Sequence, residues 1–313
     1  MAQLIDDTID FNAYLAEPEA KQKVRPANSY CDEVIASFLL PPEARGLYLP
    51  WRLMDGKLRL RRGELTLWPG INGHGKSLAV NQAMLFAIAQ GEKALIASME
   101  MRPVKTLERM ARQATRLGNP SPKTIREFHA WTDDRLWIYD HMGSVVWRKL
   151  IAVLRYCAVE IGITQFVLDS LMRCGIAETD YDGQKAFIDA LCQFKNDYNV
   201  GVHLVMHSRK REDEMTAPGK FDAKGTGTIT DLADNVLTVW RNKKKEAQVQ
   251  ACETRGDLIP EDVRLQPDAL LICDKQRHFD WEGKLSLWYH RESMQFLDSR
   301  SGLPQNPMEW GAE

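Results

Sequence analysis

From residue 64 onward, short runs of apolar residues alternate with longer segments in which apolar residues recur every three or four positions. The short runs predict strands, and the longer segments predict amphipathic helices. Strands are predicted at residues 64–68, 94–100, 135–140, 165–171 and 200–208. Near-continuous apolar strands separated by helices are typical of a parallel sheet that is covered on both faces. The pattern therefore predicts an α/β fold with a mainly parallel sheet flanked by helices.

After residue 208 the pattern changes. Residues 208–228 are polar, charged and glycine-containing, and the segment is too long for a routine connection. Strand-like runs then return, and the last of them are expected to form a C-terminal antiparallel ribbon. These runs are residues 235–240, 269–276, 284–290 and 294–298. Residues 242–266, between two of these strands, are mostly polar and are expected to form a solvated excursion.

The first sixty residues lie outside this alternation. Residues 29–40 predict a short helix with one apolar stripe. The stripe consists of Tyr30, Val34, Ile35, Phe38 and Leu39. The helix either folds onto its own domain or acts as a linker that docks on a neighbouring subunit, and the sequence leaves both open. We expect an N-terminal helical linker or oligomerisation segment over residues 1–60 and one large domain over residues 61–313.

Composition narrows the class of protein. The 313 residues include 41 Lys and Arg and 43 Asp and Glu, so any nucleic-acid site must be a local concentration of positive charge. The six cysteines form no CxxC pair, which favours reduced thiols over a zinc knuckle. The N-terminal MAQLIDDTIDF is acidic, unlike a signal peptide, and no apolar run approaches the roughly 20 residues of a membrane span. We expect a soluble, cytoplasmic protein with no membrane partner.

The stretch WPGINGHGKSL, residues 68–78, fits the pattern G-x-x-x-x-G-K-[ST] and lies between a predicted strand and a predicted helix. In such a loop, backbone N–H groups surround phosphate oxygens at a helix N-terminus. Lys76 can reach the β- and γ-phosphates, and the Ser77 hydroxyl can bind Mg²⁺. The motif predicts a P-loop for ATP or another nucleoside triphosphate with Mg²⁺. Its expected contact residues are Gly70, Asn72, Gly73, His74, Gly75, Lys76, Ser77 and Leu78.

Three further polar residues each end a separate predicted strand: Glu100, Asp169 and His207. Because ligands bind at the carboxyl edge of an open α/β sheet, we expect these side chains to meet Lys76 there. Glu100 can deprotonate an attacking water, Asp169 can hold Mg²⁺ together with Ser77, and His207 can sense the γ-phosphate. This combination predicts a site for nucleotide hydrolysis.

Several segments together resemble one known family. They are RRGELTLWPGINGHGKS, SMEM, FVLDSLMR, LVMHSRK, GTGTITDLADNVLTVWRN and ICDKQRHFDWEGKLSLWY, and they span about residues 61–299. The chain resembles the RecA-like ATPase domain of the hexameric replicative DNA helicases, the DnaB, Twinkle and phage primase-helicase group of superfamily 4. The resemblance implies a RecA-like P-loop NTPase fold over residues 61–313 and a homo-oligomeric, hexameric ring. It also implies a bacterial or phage-infected cell.

The resemblance assigns roles to particular residues. It makes Glu100 the base that activates water, Asp169 the aspartate on the Mg²⁺ side, and His207 the γ-phosphate sensor. It also makes Arg277 an arginine finger that acts on a neighbouring subunit, with Lys275 as its companion. Residues two apart on a strand share one face, so both cations are predicted to lie on one face, where a neighbour's γ-phosphate could receive both. The alternative is two ordinary cations on a strand face, held in ion pairs. By the same resemblance, Arg241 and Tyr289 flank the adenine ring.

Two segments correspond to the DNA loops that line the central channel in this family. Within residues 208–228 the candidate contacts are Arg209, Lys210, Arg211, Lys220, Lys224 and Gly225. The second segment follows Asp169 and offers Arg173. Acidic residues are interspersed in the first segment, so a solvated loop is the alternative interpretation. Ser170 departs from the pattern, because bacterial relatives often carry an aromatic residue there.

The resemblance implies an ATP hydrolase that translocates on single-stranded DNA and unwinds duplex DNA as a ring. No primase-type cysteine or carboxylate cluster is visible, so a separate primase or polymerase is expected as a partner unless the motor is self-standing. Two other functions stay open. One is a RecA/RadA-like recombinase or DNA-dependent ATPase that forms filaments on DNA, and the other is a helicase-loader or regulatory ATPase that uses nucleotide as a switch.

Overall fold

The computed structural model describes residues 10–14, 26–41, 46–177, 179–207 and 227–310. Its centre is one sheet of nine strands. The strands are β1 (Leu65–Gly70), β2 (Ala94–Ser98), β3 (Leu136–Ile138), β4 (Gln165–Asp169), β5 (Gly201–His207), β6 (Asn235–Arg241), β7 (Ala269–Lys275), β8 (Gly283–His290) and β9 (Gln295–Leu297). Their order in the sheet is β3-β2-β4-β5-β1-β6-β7-β8-β9.

The strand directions decide which residues meet. Strands β1 to β6 are parallel to one another, whereas β7, β8 and β9 each run antiparallel to the strand before them. This confirms the predicted parallel sheet with an antiparallel C-terminal ribbon. The carboxyl ends of β1, β2, β4 and β5 share one edge of the sheet. Strand β7 ends at the opposite edge, where Lys275 pairs with Val236 near the start of β6.

Nine α-helices are present in the described ranges. They are α1 (Cys31–Leu39), α2 (Lys76–Ala89), α3 (Pro103–Thr115), α4 (Pro122–Thr132), α5 (Trp147–Tyr156), α6 (Tyr181–Tyr198), α7 (Gly227–Leu232), α8 (Lys243–Arg255) and α9 (Glu261–Leu265). None of the helices within these ranges has the length and apolar character needed to cross a membrane.

Residues 242–266, expected to form a solvated excursion, are mostly exposed or half-buried, and they are largely helical because α8 and α9 occupy most of the segment. The Asn242 side chain caps α8 by accepting a hydrogen bond from the backbone N–H of Lys245. The residues that follow, KKKEAQVQ, are mostly strong helix formers. In the last three turns only Val249 and Cys252 are large and apolar, so the segment shows no apolar stripe from which the helix could be recognised.

Helices cover both faces of the sheet. On one face α5 and α6 pack against the strands around Phe166, Phe187 and Phe194. On the other face α2, α3 and α4 pack around Trp68 and Phe128. The second layer also takes in five buried residues upstream of β1, namely Leu49, Trp51, Met54, Leu58 and Leu60. The core therefore includes residues that the predicted boundary between residues 60 and 61 leaves out.

Helix α1 lies within the segment where the sequence predicts a helix, but it joins neither core layer. All nine of its residues are exposed. Phe38 and Leu39, in the predicted apolar stripe, are 79% and 77% exposed. Burying a leucine or phenylalanine side chain contributes about 1.5–3 kcal/mol, so a partner surface that covers this stripe would bind favourably.

A histidine in the centre of the sheet makes folding sensitive to acid. His203 in β5 is fully buried, with Nδ1 3.3 Å from Trp68 Nε1 and Nε2 3.1 Å from Gln165 Oε1. An indole N–H can only donate, so Nδ1 of His203 accepts and Nε2 carries the proton that Gln165 accepts. The ring is thus neutral, and burial lowers the pKa of His203 to about 3.

We expect stability to fall as the pH drops below about 6.5, the ordinary histidine pKa. His203 then binds a proton in the unfolded chain but stays neutral in the folded chain. Between pH 7 and pH 5 the loss is about 2 kcal/mol for this residue. Melting temperatures over this range should fall less for His203→Gln than for the wild type. His129→Gln, at an exposed position on α4, is the matched control and should follow the wild type. Equal acid sensitivity of wild type and His203→Gln would contradict this account.

Candidate nucleotide site

A cleft of about 750 Å³ opens at the carboxyl edge of the parallel strands. Seven of the eight predicted P-loop contacts line it, from Asn72 to Leu78, and Gly70 lies at the end of β1 beside them. The strand-end residues Glu100, Asp169 and His207 line it as well. The structure therefore brings the predicted hydrolysis residues together around one cavity.

Two glycines of the P-loop are required by the space around them. Gly75 precedes α2 with a φ of +88°, and a Cβ there would lie 2.8 Å from Cζ of Phe296. A Cβ on Gly70 would lie 2.5 Å from the carbonyl oxygen of Val239. Any side chain at either position would push the loop away from its neighbours. The first residues of α2, Lys76 to Leu78, line the cleft, so the N–H groups that a helix leaves unpaired at its start lie beside it.

Lys76 is held by the P-loop itself. Its Nζ donates to the carbonyl oxygens of Gly70, at 2.9 Å, and Ile71, at 3.0 Å, and lies 3.3 Å from Nδ1 of His207. Burial lowers the pKa of Lys76 to about 8, although Asp169 and Glu100 oppose the shift. A desolvated ammonium favours an anionic partner, and the phosphates of a nucleotide would supply one.

Ser77 and Asp169 meet directly, the Ser77 hydroxyl donating to Oδ2 of Asp169 at 2.6 Å. Burial raises the pKa of Asp169, and the hydrogen bond from Ser77 opposes that shift. Mg²⁺ in nucleotide sites is held by one or two protein oxygens, with phosphate oxygens and waters completing its shell. The hydroxyl and the carboxylate therefore fit a Mg²⁺ ion that would neutralise phosphate charge.

Glu100 is held by three groups that converge on one oxygen. Oε1 accepts a hydrogen bond from the Ser170 hydroxyl at 2.7 Å and lies 3.5 Å from Nε2 of His207 and 3.7 Å from Nε of Arg173. The contact with His207, then Ser170 and Arg173, lowers the pKa of Glu100 to about 2, although burial opposes the shift. The carboxylate is ionised at neutral pH and can accept a proton.

The far end of the cleft is formed by residues that the resemblance places beside adenine. Arg241 and Tyr289 line this cleft and also a neighbouring cavity of about 610 Å³ beside α8. The backbone N–H of Arg241 donates to Nδ1 of His74, so the proton of the neutral His74 ring is on Nε2. Among the described residues this buried Nε2 has no hydrogen-bond partner.

Lys275 and Arg277 lie away from this cleft, at the opposite edge of the sheet. Lys275 Nζ donates to the carbonyl oxygens of Thr230 and Asp231, each at 2.9 Å. Nε of Arg277 lies 3.2 Å from Oδ1 of Asp234. The prediction that both cations occupy one face of a strand is wrong, because β7 ends at Lys275 and Arg277 lies beyond it. Neither residue lines the cleft of its own chain.

Some residues that line the cleft were not predicted from the sequence, and some predicted contact residues lie outside the described part of the chain. Arg109, Met294 and Phe296 line the cleft without belonging to any recognised motif, and Met172 lines it from a recognised segment in which it was given no role. Arg173, predicted as a DNA contact, lines the cleft and approaches Glu100. The other predicted DNA contacts lie outside the described residues. They are Arg209, Lys210, Arg211, Lys220, Lys224 and Gly225.

Comparison with known proteins identifies the family. The family model described as "AAA domain" matches residues 44–213, which is more than half of the chain. This chain belongs to the AAA-domain family. The match begins upstream of β1, where the core also begins, and it includes the P-loop, Glu100, Asp169 and His207 of this AAA domain.

Individual relatives agree with the resemblance. The DNA helicase/primase of Enterobacteria phage T3 is 26% identical over 233 residues, which cover 66% of this chain and 41% of the relative. The AAA-domain chain thus spans about two fifths of that protein's length. Among solved structures, one isolated ATPase domain matches with a TM-score of 0.66 at 14% identity, covering 86% of this chain and 98% of that one.

Two further solved structures share the fold. A DnaB-like replicative helicase, described with its interactions with primase, has a TM-score of 0.66 at 14% identity and covers 87% of this chain and 68% of its own. The RadB recombinase has a TM-score of 0.54 at 16% identity and covers 81% and 100%. Together with the phage relative, these matches confirm the RecA-like fold and the likeness to replicative-helicase ATPase domains.

Proposed function

We propose that this chain is the ATP-hydrolysing motor of a replicative DNA helicase, which moves along single-stranded DNA and unwinds duplex DNA as a ring of identical subunits. The support comes from the AAA-domain match, from the phage DNA helicase/primase relative, and from the ATPase-domain and helicase structures that share the fold. The proposed setting is the cytoplasm of a bacterial or phage-infected cell, with a primase or polymerase as partner.

In the proposed reaction Lys76 and the N-terminus of α2 bind the triphosphate, and Ser77 and Asp169 hold Mg²⁺. Glu100 accepts the proton of the water that attacks the γ-phosphate, so that the water oxygen becomes a stronger nucleophile. His207 lies 3.3 Å from Nζ of Lys76 and 3.5 Å from Glu100, a position suited to sense whether the γ-phosphate is present. Arg241 and Tyr289 flank the base.

The observation that best supports a ring is that Lys76 lies far from the other two proposed catalytic cations, Lys275 and Arg277. Lys76 stands at the carboxyl edge of the parallel strands, whereas Lys275 and Arg277 stand at the opposite edge. A finger so placed cannot serve the cleft of its own subunit. In a head-to-tail ring the opposite edges of neighbouring subunits face each other, so Arg277 and Lys275 of one subunit would reach the γ-phosphate bound by the next.

Helix α1 supports an oligomer independently. Its apolar stripe is exposed on its own chain, and a neighbouring copy of the ATPase domain would cover it. We therefore propose the linker role for the part of residues 1–60 that precedes the buried residues Leu49 to Leu60. Arg173 and the residues of the segment 208–228 would contact the backbone of single-stranded DNA in the channel, where several copies together concentrate positive charge.

The direct test is the rate of ATP hydrolysis with and without single-stranded DNA, measured on material whose oligomeric mass has been determined. We expect a closed oligomer whose hydrolysis rises several-fold with single-stranded DNA and which separates a forked duplex. Indifference to DNA would support the loader or regulatory ATPase instead. Stimulation together with open filaments and no strand separation would support the recombinase, whose fold the RadB likeness shares.

A further inference from the structure

Glu100 is contacted by side chains at or near the start of each of the two segments proposed to contact DNA. Ser170 and Arg173 belong to the segment that follows β4, and His207 is the last residue of β5, immediately before the segment 208–228. All three approach the same atom, Oε1 of Glu100. A movement at the start of either segment therefore changes the contacts of Glu100, the proposed base, directly.

We propose that Arg173 is a switch for DNA-stimulated hydrolysis: it restrains Glu100 until a phosphate of single-stranded DNA draws the guanidinium away. This inference rests on the proposed function, since it explains how DNA would stimulate the ATPase. Arg173 acts through Glu100 and is a positioning residue. Ser170 is its companion in the restraint, because its hydroxyl holds the same oxygen at 2.7 Å.

The Arg173 side chain can leave Glu100 while its backbone stays in place. The backbone N–H of Arg173 donates to Ser170 O at 2.9 Å, and its carbonyl accepts from the Val145 N–H at 2.8 Å. The side chain is 46% exposed, and Nε is 3.7 Å from the carboxylate. Ion pairs that are this open to water are weak. A phosphodiester, which a guanidinium can grip with two parallel hydrogen bonds, is a stronger partner.

Restraint by Arg173 weakens Glu100 as a base in two ways. A positive charge beside a carboxylate favours its ionised form, and a carboxylate that holds its charge so well accepts protons poorly. The contacts also occupy Oε1, one of the two oxygens that could receive the proton. Removal of the guanidinium should therefore raise the reactivity of Glu100 even when DNA is absent.

The test is steady-state ATP hydrolysis without DNA by the full chain. Arg173→Ala should hydrolyse about three- to tenfold faster than the wild type, as expected for a modest gain in basicity, and DNA should stimulate it less. Arg173→Lys keeps the positive charge and should return basal hydrolysis toward the wild-type rate. Arg126→Ala removes the same charge from an exposed position on α4 and should leave basal hydrolysis unchanged.

Each other outcome has a distinct meaning. Unchanged or slower basal hydrolysis by Arg173→Ala, together with weaker DNA binding, would make Arg173 a DNA contact only and overturn the switch. A wild type that single-stranded DNA fails to stimulate would overturn the proposed function, and a faster Arg173→Ala would then show restraint without DNA control. If Arg173→Ala melts below the wild type, Ser170→Ala replaces it, and its basal rate must also rise.

Discussion

Glu100→Gln is expected to bind ATP normally but to lose ATP turnover by about 10²–10⁴-fold, the usual contribution of a positioned general base. The amide oxygen can still accept the hydrogen bond that the Ser170 hydroxyl donates to Oε1, so the geometry of the cleft is preserved. The amide cannot accept the proton of the attacking water at neutral pH. The loss should therefore fall on kcat, with little change in the affinity for nucleotide.

The measurement is kcat from steady-state hydrolysis, paired with the dissociation constant for a fluorescent ATP analogue. Glu108→Gln on α3 is the matched control, since Glu108 forms an exposed ion pair with Lys105 at 2.6 Å and stands outside the cleft. It should leave both quantities unchanged. If Glu100→Gln keeps a substantial share of wild-type turnover, Glu100 is not the base.

Arg277→Ala is expected to reduce DNA-stimulated hydrolysis by about 10³–10⁵-fold, the range that arginine fingers contribute in other nucleotide hydrolases. The guanidinium would stabilise the negative charge that develops on the γ-phosphate of a neighbouring subunit. Because that charge is greatest in the transition state, nucleotide affinity should change far less than the rate. Arg277→Lys should recover only part of the loss, since an ammonium lacks the planar fork.

A folding defect must be separated from this loss of rate. Arg277 is 52% exposed, and its partner Asp234 keeps two other contacts, with Lys195 Nζ at 3.0 Å and with the Leu65 N–H at 2.7 Å. Removal of Arg277 should therefore cost no more than about 1 kcal/mol of stability. Melting temperature checks this, and Arg255→Ala, which breaks an exposed pair with Asp257, is the matched control for both stability and rate. Full hydrolysis by Arg277→Ala would exclude the finger.

The residues that the sequence predicts best are those whose chemistry follows from local order. The P-loop is a contiguous motif, and Glu100, Asp169 and His207 each end an apolar strand. Once these strands are parallel, their carboxyl ends share an edge, and the meeting of the side chains follows from the topology. The position of Lys275 at the other edge came from the structure, in which β7 runs antiparallel to β6.

Contacts that join distant segments could not be predicted in this way. Phe296 packs against Gly75 across more than two hundred residues, and its carbonyl accepts hydrogen bonds from both Trp51 and Gln82. Such contacts depend on how the C-terminal ribbon lies against the P-loop, which apolar periodicity does not encode. The bond from Ser170 to Glu100 is similar, because it unites a position that departs from the family pattern with a residue on another strand.

A nucleotide site shared between two subunits can be detected by mixing two inactive variants. Lys76→Ala loses triphosphate binding but keeps Arg277, whereas Arg277→Ala loses the finger but keeps Lys76. In oligomers assembled from equal amounts, about one site in four joins an intact Lys76 to an intact Arg277 on the next subunit. DNA-stimulated hydrolysis should return to about a quarter of the wild-type rate in this mixture. Hydrolysis that stays absent in mixed oligomers at every ratio would contradict a site shared between subunits.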